Sequence, residues 1–476
     1  MAVNPDEAWQ AMLALAPTWA AVWAEALTVH HPPLLLMLEH PLGGWLLTET
    51  GARLWPMLAG ALAPVVAFAW LRRRAGVTAA AVVFLLLEFA PRMVSLGAQN
   101  RSYTLALFFV LATLYTLDRA IDEAIGGSGE ATGDGVDNAI ARRASVARFA
   151  LAGLCWSLAA ASDYSVALLC PALAAYAALR LWTGDAPWRG WCALAGCLVP
   201  VLAVYGFLYV VQLRPLLAEV DPGEKWLRAG FPGEDVLFPV RATSWQFLYF
   251  QGDGMSQSSW YAAPCVVAFL LSLAMHRAWW PLAVLPFVTG LAAAYTGFFP
   301  YAGRRHTMLL GLPIALMLAL LAARAISRLP VRPAIVLAAM LPLLSLWLIL
   351  ARRDEWDLPR VLLVPSECRQ AARFVAEKVP KMQPMLLSME AYNWMRYYLA
   401  AEGDFAPALI KTRSWQFDTE PNLRQSVNAL RAAAGMGREE RVWVAEGVLD
   451  ALGPRLRLET GPPRGGIYVY PLPADY

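Results

Sequence analysis

The chain has 476 residues, 58% of them hydrophobic and 16% charged, with a mean hydropathy of +0.46 and a formal net charge of +3. Soluble globular domains sit at roughly 45–50% apolar and about 25% charged, so this composition excludes one and predicts a polytopic membrane protein, mainly α-helical. The small net charge gives no electrostatic footprint for nucleic acid.

The stretch "NPDEAW" at residues 4–9 opens the chain with adjacent carboxylates, Asp6 and Glu7. Pro5 with acids behind it marks a helix start, where Asp6 can cap. A cap and a catalytic base are not exclusive roles. The first residues lack a basic n-region and an apolar core, so no signal peptide is read there. The segment then runs through "VHHPPLLLMLEHPLGGW", which holds His30, His31 and His40, three of the five histidines. Pro32 and Pro33 fix their own φ values and stiffen the backbone behind His31. The histidine spacing matches no strong metal motif, so a positioning role or a hydrogen bond to substrate is expected, and no metal.

Membrane spans need about 17–25 apolar residues. Ten are expected, near 52–71, 77–95, 102–119, 147–161, 164–181, 191–211, 260–275, 279–299, 306–325 and 333–351. The fourth and seventh are short. Six cysteines are present; Cys155, Cys170, Cys192 and Cys197 lie in apolar runs with no CxxC or Cys/His ligand spacing. They read as small buried hydrophobes.

Basic residues orient the spans. Arg72, Arg73 and Arg74, then Arg119, Arg142, Arg143 and Arg148, then Arg180 and Arg189, then His276 and Arg277, then Arg324, Arg328 and Arg332 all fall on one side if the spans alternate. That side is read as cytoplasmic, which puts residues 1–51 and 352–476 outside. The Gly-rich acidic loop near 120–147 reads as a flexible cytoplasmic linker. Its glycines follow no phosphate-binding pattern.

Beyond the last span the composition becomes mixed. Helix-like stretches (366–379, 421–435) alternate with the β-favouring runs "PMLLSM", "RVWVAEG", "RLRLET" and "GIYVYPL". A small outer-facing α/β domain over 352–476 is expected behind a helical membrane domain over 1–351.

Two outer loops break the charge rule. "GAQNRSY" carries Arg101, and "YAGRRHTM" carries Arg304, Arg305 and His306. Arginine at a membrane boundary is costly, at about 2.5–3.5 kcal/mol on insertion scales, and tends to be paired or functional. Clustered guanidinium forks are what binds a phosphate bidentately, here one held at the outer interface, such as a polyprenyl-phosphate headgroup.

These motifs, in order, resemble the GT-C membrane glycosyltransferases, in particular the bacterial protein O-mannosyltransferase and aminoarabinose-transferase group. "DEAWQ…HPPLLLMLEH" is similar to that group's "DEAYY…HPPLYYLLLH", with His40 at its second His. "APRMVSLGAQNRSYTLALFF" resembles "SPFLIYYSQEARMYALLLFF", with Pro91, Arg101 and Tyr103 in register. "ASDYSVALLCPALAAYAAL" resembles "THYFALLLLLALALYLL", and "FPYAGRRHTMLLGLP" resembles the "YPFGGRRH" loop. The tail from "ECRQAARFVAEKVP" looks like the outer domain many members carry. The chain departs from the pattern at Gln99, where the group has Glu, and at Asp163, where relatives carry His or Lys. Relatives also have one more span before the acidic loop, so a helix missing at the N-terminus is expected.

The resemblance implies an inverting glycosyltransferase of the bacterial inner membrane, with its active site and tail domain facing outward. It would move a sugar from a polyprenyl-phosphate donor to a lipid, glycan or protein acceptor, with no cofactor. Asp6 matches the family's catalytic Asp, with Glu7 orienting it or binding acceptor. Arg101, Tyr103, Arg304, Arg305, His306 and His31 would hold the phosphate end, and Gln99, Asp163 and His40 are further candidate substrate contacts. Two other readings stand beside this one: a transporter or flippase for lipid-linked sugars, and a non-catalytic relative that binds them. Two similar halves, which a transporter would normally show, are not found.

Overall fold

Backbone polar groups in lipid must be paired internally, and a helix pairs all of them within one segment. The computed structural model describes residues 5–28, 32–89, 91–126, 135–215, 230–233, 235–250, 262–301, 305–330, 372–373, 375–377, 385–387, 395–400, 409–411, 427–428, 431, 443–447 and 467–471. Among them, six helices are long and apolar enough to cross a membrane: Glu49–Phe89, Tyr103–Gly126, Arg143–Ser162, Trp188–Leu213, Arg277–Tyr295 and Thr307–Ile326. Leu34–Leu47 and Ala263–Met275 are shorter apolar helices. The molecule is a mostly helical, multi-pass membrane protein.

The chain divides into two compact units. The larger takes in Trp23–Leu35 and Trp55–Trp356; the smaller takes in Met1–Val22, Leu36–Leu54 and Asp357–Tyr476. The N-terminal acidic segment therefore groups with the tail.

The elements before the first long helix are α1 (Pro5–Ala14), α2 (Trp19–Thr28), α3 (Leu34–Glu39) and a 3-10 segment (His40–Leu47). Then come α4 (Glu49–Phe89), α5 (Pro91–Gly97), α6 (Tyr103–Gly126) and α7 (Gly135–Ser162). A 3-10 turn (Tyr164–Leu168) leads to α8 (Cys170–Thr183), and α9 (Trp188–Leu208) ends in a π turn (Tyr209–Leu213). The helices α10 (Phe238–Phe250), α11 (Ala262–Met275), α12 (Trp280–Tyr295) and α13 (Gly311–Ile326) complete the bundle, with a 3-10 turn (Arg305–Leu310) before the last. In the bundle α6 packs on α7, α7 on α9, α8 on α12, and α11 on α13.

The first two expected spans both fall in α4, which breaks at Gly76 (φ 88, ψ 173). The rings of Phe68 and Phe84 lie 6.4 Å apart. Sixteen residues of straight helix would separate them by about 24 Å, so α4 folds back on itself as two antiparallel arms. The expected spans at 102–119, 147–161, 191–211, 279–299 and 306–325 fall in α6, α7, α9, α12 and α13. The span at 164–181 starts as the 3-10 turn and continues as the 14-residue α8, and the span at 260–275 is the 14-residue α11. The last expected span, 333–351, lies outside the described residues.

One end of the bundle is tied by ionic contacts. Asp118 on α6 is buried and accepts from Trp70 Nε1 (2.6 Å), the Tyr176 hydroxyl (3.0 Å) and Arg180 Nη1 (2.8 Å), with Arg74 Nε at 3.3 Å. Asp122, one turn on, takes Arg180 Nη2 at 2.7 Å and Arg74 Nη1 at 3.3 Å. Trp279 stacks on Tyr176 and meets Trp70 edge-on. Charges at membrane depth stay when they pair with one another, and here α4, α6 and α8 supply both signs.

In the smaller unit the described strands are β1 (Met385–Leu387), β2 (Leu409–Lys411), β3 (Trp443–Gly447) and β4 (Ile467–Pro471), in sheet order β2-β1-β3-β4. β1 runs parallel to β2 and β3, and β4 is antiparallel to β3. Three of the β-favouring runs hold β1, β3 and β4; "RLRLET" lies outside the described residues. β2 falls in none of the expected runs. The core of this unit joins Ala8 and Ala11 of α1 and Ala52 of α4 to Ala372, Val375, Met385, Leu387, Met395 and Tyr397–Leu399.

Candidate functional site

In the larger unit, three of the motifs that stand out in the sequence meet. The first is "QNRSY", the turn between α5 and α6. Arg101 N donates to Gln99 O at 2.8 Å, closing the turn. Gln99, Asn100, Arg101, Ser102 and Tyr103 are all buried, Arg101 to 3% exposure. Gln99 Nε2 reaches the Ser95 hydroxyl at 3.3 Å. A buried run of polar residues at a helix start is costly unless each is satisfied.

The second motif is "SDYS", between α7 and α8. Asp163 is the N-cap of the 3-10 turn, and its carboxylate accepts from Ser165 N at 2.8 Å. Burial pushes its pKa up to about 6, opposed chiefly by the hydrogen bonding from Ser165. Ser102, just before α6 and next to Arg101, lies close to this carboxylate at the α7–α8 corner.

The third is "YAGRRHTM". The turn Arg305–Leu310 packs on α6 and on the Tyr164–Leu168 turn. Both flanks of this loop are pinned. The Tyr301 amide donates to Gly230 O at 2.7 Å and its hydroxyl lies 3.0 Å from Thr243 Oγ1. Its ring presses on Gly290, where a Cβ would come within 2.6 Å of it. On the far side Thr307 donates to Gln246 Oε1 at 2.8 Å. Arg304 lies outside the described residues, as do the side chains of Arg305 and His306.

The smaller unit holds the acidic pair in the first turn of α1, where the helix dipole favours negative charge. Glu7 is fully buried and takes a bidentate pair from Arg53, Nε to Oε1 at 3.1 Å and Nη2 to Oε2 at 3.0 Å. Asp6 is the neighbouring residue; its backbone is helical and its side chain lies outside the described residues. At the other end of α1, His40 Nδ1 donates to Ala14 O at 2.9 Å, and Trp19 meets the His40 ring edge-on. His40 thus caps a helix carbonyl. His30 and His31 lie outside the described residues. Among the described residues no group of three or more His, Cys, Asp or Glu could hold a metal ion.

Three residues of this geometry are absent from the sequence reading. Arg53 sits at the start of the first span, at the opposite end from Arg72–Arg74, so the charge rule that singles out Arg101 marks it too. Ser102 carries no signal of its own. Tyr397, in the helical stretch 395–400, is fully buried and donates to Leu46 O at 2.9 Å. Burial raises its pKa, and the nearby Glu49 and Glu7 raise it further while Arg53 opposes them.

No protein-family model matches the chain, and no curated protein matches it. Among solved structures it is similar to apo ArnT from Cupriavidus metallidurans, at 17% identity and a TM-score of 0.49, over 98% of this chain and 93% of that one. It is similar to the same protein bound to undecaprenyl phosphate, at 16% identity and a TM-score of 0.48, over 98% and 94%. It is also similar to the oligosaccharyltransferase AglB from Archaeoglobus fulgidus in complex with an inhibitory peptide and a dolichol-phosphate. There the identity is 12% and the TM-score 0.49, over 94% of this chain and 65% of that one.

Proposed function

We propose that the protein is an inverting membrane glycosyltransferase that takes a sugar from a polyprenyl-phosphate donor and passes it to an acceptor on the outer face. The observation that carries this reading is the meeting of the Arg101 turn, the Asp163 turn and the Arg305–Leu310 turn at one end of the larger unit. Arg101 is buried at that end, and an arginine at a membrane boundary is a residue that stability alone would remove.

The leaving phosphate gains charge as the bond to the anomeric carbon breaks. Fixed guanidinium donors in a site shielded from water stabilise that charge by about 3–4 kcal/mol per donor lost or gained. Arg101, Arg304 and Arg305 take this role, with Tyr103, His306 and His31 as further contacts to the donor's headgroup. The incoming hydroxyl must lose its proton to a carboxylate. Asp6 is that base: Glu7 is committed to Arg53, whereas Asp6 is the other half of the pair. Attack opposite the phosphate inverts the anomeric carbon.

The test is donor-dependent labelling of a total envelope extract by wild type, Asp6→Ala and Asp6→Asn. A positioned base contributes about 10²–10⁴-fold, so labelling should fall at least a hundredfold while donor binding is retained. Identical labelling profiles would sink the assignment. Sugar movement across the membrane that survives Asp6→Asn would favour a transporter instead.

A further inference from the structure

Two contacts hold the helix that carries the acidic pair, and a third holds the segment beside it. Near its start, the Glu7–Arg53 pair joins α1 to the first turns of α4, with both side chains no more than 2% exposed. At its end, His40 takes the Ala14 carbonyl. From the tail, Tyr397 donates to Leu46 O, in the 3-10 segment that leads into α4 and Arg53. Glu7, Glu49 and Arg53 all act electrostatically on Tyr397. Ala8 and Ala11 complete the arrangement, since both are fully buried against tail residues of the smaller unit's core. A surface helix needs none of this. A buried ion pair is weak evidence for stability, because apolar replacements of the same volume do as well or better. What such a pair does supply is a fixed geometry, since two parallel N–H···O bonds set distance and angle together.

We infer that Arg53 and Tyr397 are positioning residues for the reaction: they lock α1, and with it Asp6, so that the C-terminal domain contributes to catalysis through the N-terminal helix. This rests on Asp6 being the base. A carboxylate displaced by about 1 Å can cost a hundredfold in rate, so a small loosening of α1 should reach turnover directly. Arg53→Lys keeps the charge and loses the fork; Tyr397→Phe loses one hydroxyl and keeps the ring. Neither leaves Glu7 without a cation, so both variants are expected to fold.

The experiment uses the full chain in detergent, with hydrogen–deuterium exchange of peptides over residues 5–14 and turnover of a polyprenyl-phosphate sugar per folded molecule. Both variants should speed exchange in α1 at least fivefold and lower kcat at least tenfold, with KM for the donor within twofold. A merely structural role would lower the amount of folded protein and leave kcat per folded molecule unchanged. Unchanged α1 exchange in both variants overturns the inference whatever the turnover. If Asp6→Asn is inactive while Tyr397→Phe and Arg53→Lys turn over as wild type, the positioning role falls and the base survives. If Asp6→Asn turns over normally, the base falls, and the positioning role falls with it.

Discussion

Asp163 shows how a single side chain can be read in two ways. In the sequence it departs from a motif; in the fold it caps a turn and faces Ser102 beside Arg101. Its folded pKa, about 6, lies above the ordinary 3.8 because burial disfavours the charged form. Between about pH 4 and pH 6 the folded state then binds more protons than the unfolded state, so stability falls as pH rises through that window. Asp163→Asn keeps an acceptor for Ser165 N and removes the charge. It should raise the midpoint of thermal unfolding at pH 7.5 and give no gain at pH 4. Equal gains at both values would show that the buried charge is not the cause. Glu7 is the contrasting case. The sequence offers the acidic pair, but nothing in it says which half is free for chemistry. Glu7's partner, Arg53, lies 46 residues away, and only tertiary packing brings it in.

At the scale of elements, the apolar runs were legible because each carries enough hydrophobic length for a helix, whatever its neighbours do. Their boundaries were less so. The segments 52–71 and 77–95 read as two spans; the structure has one helix there, α4, which breaks and reverses at Gly76. The reversal depends on φ 88 with ψ 173, a conformation nearly confined to glycine. Nothing lies within 4 Å of a Cβ built at Gly76, so a substitution there meets backbone strain and no clash. Gly76→Ala should therefore destabilise the protein by about 1–3 kcal/mol, seen as a lower unfolding midpoint in detergent. A neutral result would mean that the two arms do not need this turn. The strand β2, absent from the expected runs, marks the limit at this scale: its three residues pair with β1 on one side.

For the whole molecule, the distribution of charge in the sequence gives an expected orientation, since basic residues cluster on alternate loops. The grouping of residues 1–22 and 36–54 with the tail was not readable. It depends on alanines at positions 8, 11 and 52, whose small side chains carry no sign of what packs against them. The orientation has a direct check. Thr183, in the last turn of α8, and Arg396, in the tail, are both exposed. In a cysteine-free background, Arg396→Cys should react with a membrane-impermeant thiol reagent in intact cells, and Thr183→Cys only in inverted vesicles. Labelling of both from one side would overturn the assignment of the tail to the outer face.

The ionic knot around Asp118 also has a consequence for how the chain is made. Its members enter the membrane in order: Arg74 first, then Asp118, then Arg180, 62 residues after Asp118. At a synthesis rate of about 5–20 residues per second, α6 waits roughly 3–12 s for its second arginine. During that interval Arg74 is the cation already at hand. The first arms of the chain must therefore stay together beside the insertion machinery until α8 emerges, and a pause in translation just before Arg180 would lengthen the most vulnerable moment of assembly.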